Sequence, residues 1–108
     1  MTTWKVEFFN EMVEEQTLAF PKAILADFLR VVELIEEFGP AIGRPHTAPL
    51  GKGLFEIRAK GREGIGRSIF CSVRARKIII LHSFVKKTQK IPQKEMGKAL
   101  KRMKEITE

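Results

Sequence analysis

Residues 54–88 limit the possible folds more than any other stretch of the chain. They read LFEIR, a glycine-broken basic connection (AKGREGIG), RSIFCSV, a short basic connection (RARK), then IIILHSFVKKT. Three runs of β-branched and aromatic residues joined by two tight connections predict an antiparallel meander. In the first strand Leu54, Glu56 and Arg58 share one side, and Phe55 and Ile57 the other. In the second, Arg67, Ile69, Cys71 and Val73 alternate with Ser68, Phe70 and Ser72. The third is apolar on both sides from Ile78 to Leu81, which predicts a central strand covered on both faces. It turns polar from His82 onward.

Charge gathers on the same stretch. Residues 52–90 hold eleven Lys or Arg against two acids, Glu56 and Glu63, a balance of +9 within a chain of net charge +7. Residues 1–51 carry −4 and residues 91–108 carry +2. A small sheet this basic, opposite an acidic shoulder, predicts a polyanionic partner, with nucleic acid the first candidate and an anionic membrane surface the second.

The flanks complete a single domain over residues 1–108, long enough to bury its own core. Residues 4–9 alternate as a half-buried strand. Asn10 reads as the N-cap of a short helix to about residue 19. Pro21 opens a second helix, whose stripe runs through Ile24, Leu25, Phe28, Val31, Val32, Ile35 and Phe38 and stops at Gly39-Pro40. Its acidic side reads as a solvated face. Residues 40–53 hold prolines and glycines throughout and read as a loop of fourteen residues. After Ile91-Pro92, residues 93–106 form a third helix, with Met96, Leu100 and Met103 inward and lysines outward. The expected architecture is α+β: two N-terminal helices and a C-terminal helix around a twisted, mainly antiparallel four-stranded sheet.

Cys71 is the only cysteine, which excludes an internal disulfide and fits a reducing, cytoplasmic setting; mid-strand, it reads as a core residue. Two histidines and one cysteine without ligand spacing argue against a zinc centre, and no cofactor is expected. No apolar run approaches the roughly 20 residues that span a bilayer, and no basic-then-apolar leader opens the chain.

Strand directions bring basic residues together. The end of the first strand (Arg58), the start of the second (Arg67) and the end of the third (His82, Phe84, Lys86) return to one sheet edge. Arg67 follows Gly64 and Gly66, which suggests close approach of backbone to a ligand. Phe84 is either a stacking platform for an unpaired base or a core residue, and the sequence leaves both open. Clustered cations suit RNA cleavage through attack of a 2′-hydroxyl on the neighbouring phosphate. They stabilise charge on phosphorus, and the 2′-hydroxyl restricts the reaction to RNA.

The order L-x-x-G-L-F-E-I-R, a lone Arg opening the next strand, then I-I-I-L-H-S-F-x-K-K-T-x-K-x-P resembles the HigB-like branch of the RelE toxin superfamily, over residues 50–92. The resemblance implies the RelE-like fold and the toxin of a type II toxin–antitoxin pair, an endoribonuclease that cuts mRNA on the ribosome. It implies catalytic roles for Arg67, Lys86, Lys87 and Arg58. RNA contacts are expected from Lys60, Arg62, His82, Phe84, Thr88, Gln89 and Lys90. Expected partners are a helix-turn-helix antitoxin, the ribosome and mRNA, with operator DNA bound only through the antitoxin complex, and no membrane. The chain has no tyrosine, where many relatives place a tyrosine or histidine near the last helix, so the resemblance assigns no general base. The rival reading is a non-catalytic basic module that binds nucleic acid.

Overall fold

The computed structural model describes residues 3–86 and 90–107. The chain runs β1 (Lys5–Phe8), α1 (Glu11–Leu18), α2 (Lys22–Phe38), a 3-10 turn (Pro40–Ile42), β2 (Thr47–Gly51), β3 (Leu54–Gly61), β4 (Gly64–Val73), β5 (Lys77–Lys86) and α3 (Gln93–Thr107). Local chemistry accounts for the helix ends. Oδ1 of Asn10 accepts from the N–H of Val13 (2.9 Å) and caps α1. Gly39 closes α2 with φ of 91°, a conformation that favours glycine, and donates its N–H to the carbonyl of Ile35 (2.7 Å).

The sheet has five strands, ordered β1-β5-β4-β3-β2, where the sequence predicts four. β1 pairs parallel with β5 and the remaining pairings are antiparallel. The additional strand, β2, lies within the stretch read as a loop. Thr47, Ala48 and Pro49 pair with Ile57, Glu56 and Phe55, and the register shifts before Gly51. A proline is tolerated there because β2 is an edge strand, with one side that needs no ladder donor. The middle position belongs to β4 rather than to β5. Coverage of β5 on both faces agrees with its composition: Ile78 and Ile80 enter one core, and Ile79 and Leu81 the other.

Two cores flank the sheet. On one face Val13, Ile24, Phe28, Val31 and Ile35 pack against Ile57, Ala59, Phe70, Ile78 and Ile80. On the other, α3 lays Met96, Ala99, Leu100, Met103 and Ile106 over Leu54, Ile69, Cys71 and Leu81. Cys71 is a buried core residue, and burial pushes its thiol pKa up. Under the first face the hydroxyls of Thr17, Ser83 and Ser68 form a buried chain (2.7 and 2.8 Å) that ties α1 to β5 and β4.

Three details set the side chains of the meander. The β3–β4 connection is only Arg62 and Glu63, because Gly61 pairs with Gly64, so Arg58 and Arg67 lie within their strands rather than at the tips. Glu63 Oε2 accepts from the N–H of Ala23 (3.3 Å) at the start of α2, where Pro21 supplies no side-chain cap. Between β4 and β5 the register slips at Ile69/Phe70: Ile69 faces His82 but Phe70 faces Ile80, which leaves Leu81 as the extra residue of a bulge.

Candidate nucleic-acid interface

The bulge places Leu81 and His82 on the same side of the sheet, so His82, Phe84 and Lys86 fall into phase with Arg67 and Ile69. Three cross-strand rows result on the face that carries α3. Glu56, Ile69 and His82 form the first, Arg58, Arg67 and Phe84 the second, and Lys60, Ile65 and Lys86 the third, nearest the hairpin. Residues directly opposed on neighbouring strands stand about 5 Å apart. Arg58, Lys60, Arg67 and Lys86 therefore share one patch of one face.

Their exposure differs. Lys60, Arg62, Lys86 and Lys90 are exposed, Arg58 and Phe84 half-buried, and Arg67 and His82 buried. Arg67 is 1% exposed, and its Nη1 donates to Oε1 of Glu56 at 2.7 Å, the short distance of a charge-assisted bond. Gly66, next to it, points to the opposite face. A Cβ there would stand 2.6 Å from Cγ2 of Ile24 and 3.1 Å from the Phe20 ring. This glycine lets α2 approach the sheet, and it is not a gap for ligand beside Arg67 as the sequence suggests. Arg62 occupies the hairpin turn, outside the rows. Lys87, Thr88 and Gln89 lie outside the described residues.

His82 is bonded rather than open to solvent. Its Nε2 donates to Oε1 of Glu95 (2.8 Å) in the first turn of α3, and its ring lies 5.5 Å from that of Phe84 with the planes 30° apart. Burial pushes its pKa below the ordinary 6.5. Glu95 pulls it upward, Arg102 and Lys98 push it down, and the net direction is downward. Arg102 reaches from α3 to the bulge, where Nη1 donates to the carbonyl of Leu81 (2.6 Å). A backbone bond from Lys60 to Oδ2 of Asp27 on α2 (2.8 Å) anchors the hairpin end from below.

Sequence reasoning passes over two carboxylates. Glu95 is placed by helix docking, which no local pattern encodes. Glu56 was accessible to inference, since it is one of two acids among residues 52–90 and shares a strand side with Arg58. Among the described residues no group of three or more His, Cys, Asp or Glu is placed to hold a metal ion. No helix among them is long and apolar enough to cross a membrane.

The five-stranded mixed sheet between helices, with cations aligned on one face, defines a small α+β domain. The chain belongs to the family of phage-derived Gp49-like proteins (DUF891), whose family model matches residues 15–104. No curated protein matches the chain.

Proposed function

We propose that this protein is the HigB-like toxin of a type II toxin–antitoxin pair and cuts mRNA on the ribosome. The observation that carries this reading is the pair of adjacent rows, Arg58–Arg67–Phe84 and Lys60–Ile65–Lys86, which combine four cations and an aromatic ring on one face. In the reaction the 2′-hydroxyl gives up its proton to solvent as its oxygen bonds to phosphorus, the bond from phosphorus to the 5′-oxygen breaks, and the 5′-oxygen takes up a proton, so the products are a 2′,3′-cyclic phosphate and a 5′-hydroxyl. Arg67 and Arg58 stabilise the charge that builds on the phosphate oxygens. Lys60 and Lys86, both exposed, hold the flanking backbone, and Phe84 stacks an unpaired base. Arg62 and Lys90, both exposed, add RNA contacts, and from the sequence alone Lys87 is assigned to the phosphate and Thr88 and Gln89 to RNA. The basic face docks on ribosomal RNA. A helix-turn-helix antitoxin neutralises it, and the complex of the two binds operator DNA.

The burial of Arg67 against Glu56 favours a second reading. An arginine already paired with a carboxylate is a weaker phosphate ligand, and the exposed lysines suffice for a non-catalytic module that binds RNA electrostatically. Primer extension on a defined message, translated by purified ribosomes with and without the protein, separates the two. The toxin yields new 5′ ends within the translated region, and these disappear in Lys60→Glu/Lys86→Glu but persist in Arg74→Glu/Arg76→Glu. An intact message together with salt-sensitive RNA binding overturns the endonuclease reading.

A further inference from the structure

Helix α3 carries more positive charge than its own stability favours. It holds five bases, Lys94, Lys98, Lys101, Arg102 and Lys104, against two acids, Glu95 and Glu105. Lys94 and Lys98, and Lys98 and Arg102, are four residues apart. Lys98 and Lys101, and Lys101 and Lys104, are three apart. At these spacings like charges destabilise a helix. Lys94 also stands in the first turn, where the helix dipole disfavours a cation. Glu95 is drawn inward to His82 (2.8 Å), with Nζ of Lys98 3.9 Å from it. The apolar side of α3, from Met96 to Ile106, is packed on the sheet, so the helix has no apolar side to lay into a membrane.

These cations are placed as a track. Lys94, Lys98 and Lys101 are exposed and follow one another at helical spacing, on the side of α3 away from its core contacts. The Glu95–His82 bond sets the start of the track beside Phe84, whose ring lies 5.5 Å from the imidazole. Its other end is a groove of about 410 Å³ between α3 and the β1–α1 junction, lined by Phe9, Asn10, Lys98, Lys101, Arg102 and Glu105. Arg102 is engaged there, with Nη1 on the carbonyl of Leu81 (2.6 Å) and its guanidinium 5.8 Å from the centre of the Phe9 ring. The two lysines beside it are exposed.

We propose that α3 is the second half of the RNA-binding surface. A single strand of RNA that crosses the cationic rows leaves them at Phe84 and continues along α3 into this groove, its phosphates neutralised by Lys94, Lys98 and Lys101. This rests on the reading above that the protein binds RNA, and it is independent of whether the protein cuts. Continuity with the rows favours RNA over an acidic protein surface. A flexible single strand can pass from the sheet face onto the helix lying across it, a turn that a stiff duplex resists.

Oligouridines of two lengths test this, taken from the ends of the roughly 4–16-nucleotide range that small single-strand-binding folds cover. Affinity is measured against salt for wild type, Lys98→Ala/Lys101→Ala and the control Arg74→Ala/Arg76→Ala, with backbone amide NMR of wild type. With the long oligomer, the slope of log affinity against log salt is expected to flatten in Lys98→Ala/Lys101→Ala by about 1.4, at roughly 0.7 for each phosphate no longer neutralised. With the short oligomer it is expected to stay at the wild-type value, and the control is expected to match wild type with both. Amides of residues 98–102 are expected to shift with the long oligomer and not with the short one, while those of the rows shift with both. An unchanged slope with the long oligomer, or equal flattening at both lengths, overturns the track. So do α3 amides that stay in place while those of the rows shift, and the RNA reading of the sheet then stands. Equal shifts of α3 with polyglutamate or with phosphatidylserine vesicles overturn the track in favour of an acidic protein or a membrane. No binding of either oligomer by wild type overturns the RNA reading and the track with it.

Discussion

At the β4–β5 turn, Arg74, Ala75 and Arg76 are exposed, and the next residue, Lys77, ends near Glu7 (3.5 Å). At the opposite end of the same meander, Arg58, Lys60, Arg67 and Lys86 occupy two registered rows with Phe84, backed by Glu56 and by the His82–Glu95 contact. In one-dimensional sequence both ends are simply basic. In the fold, the turn end leaves Arg74 and Arg76 exposed to solvent and sets Lys77 beside Glu7. The hairpin end sets its cations on one face and buries one of them. Cation density therefore says little about function. What matters is whether strand parity delivers the cations to one face and whether a buried counter-charge fixes any of them.

The strongest way to break this contrast is to remove one partner of the buried pair. Arg67→Ala leaves Glu56 buried without its counter-charge, and a loss of about 3–5 kcal/mol of folding stability is expected in urea or guanidinium titrations. Arg74→Ala at the exposed turn is expected to stay within about 0.5 kcal/mol of wild type. Equal, small effects at both sites would show that the buried pair does not anchor the hairpin end. Because of this cost, a loss of cleavage in Arg67→Ala by itself does not assign a catalytic role. Arg67→Lys, which keeps the charge but not the fork, is the more informative variant.

A smaller effect concerns binding. Lys60→Ala/Lys86→Ala removes two exposed cations from the row nearest the hairpin. The slope of log affinity for single-stranded RNA against log salt is expected to flatten by about 1.4, at roughly 0.7 for each phosphate that is no longer neutralised. Arg74→Ala/Arg76→Ala is expected to leave the slope unchanged. Equal flattening by both pairs would mean that the whole meander acts as a diffuse cation and that the rows are incidental.

The two ends also differ in their response to acid. His82 is buried, with Glu95, Lys98 and Arg102 of α3 around it and Phe84 beside it, and its folded pKa lies below the ordinary 6.5. Below pH 6.5 the unfolded imidazole takes up a proton that the folded one resists. The unfolded state then binds more protons, and stability falls as pH falls through this window. The contribution is fully present above pH 6.5. Melting curves from pH 7.5 to 5.5 are expected to show a decline in Tm that is flatter in His82→Gln, which keeps a donor for Glu95 but cannot titrate. A Tm that rises on acidification would mean that Glu95 outweighs burial and that His82 is charged in the fold.

These differences explain what could be read from residues alone. The alternation in residues 54–58 and 67–73 displays β3 and β4 directly, and the apolar stripe from Ile24 to Ile35 displays α2. Strand β2 was hidden because Pro49 and Gly51 are loop residues by propensity, and only pairing with β3 makes Thr47–Gly51 a strand. The bulge at Leu81 leaves no mark in IIILHSFVK, where every residue suits a strand, although it determines which side His82, Phe84 and Lys86 take. The burial of Arg67 was equally hidden. Alternation assigns a residue to a side of the sheet, whereas burial depends on what α3 and its neighbours place over that side.

The smallest expected effect is at the turn. Ala75 and Arg76 adopt φ of 65° and 55°, a left-handed conformation that costs a residue with a Cβ roughly 1–2 kcal/mol. The carbonyl of Arg76 accepts from the N–H of Lys5 (2.9 Å), so the strained turn also secures the edge strand β1. Ala75→Gly removes the Cβ without touching that bond, and a gain of about 1 kcal/mol is expected, reduced by the greater freedom glycine has in the unfolded chain. RNA binding should not change, because no residue of the two cationic rows moves. A stabilised variant with altered RNA affinity would show that the two ends of the meander are coupled through β4 and β5, and that the sheet responds as a single cooperative unit rather than as two independent ends.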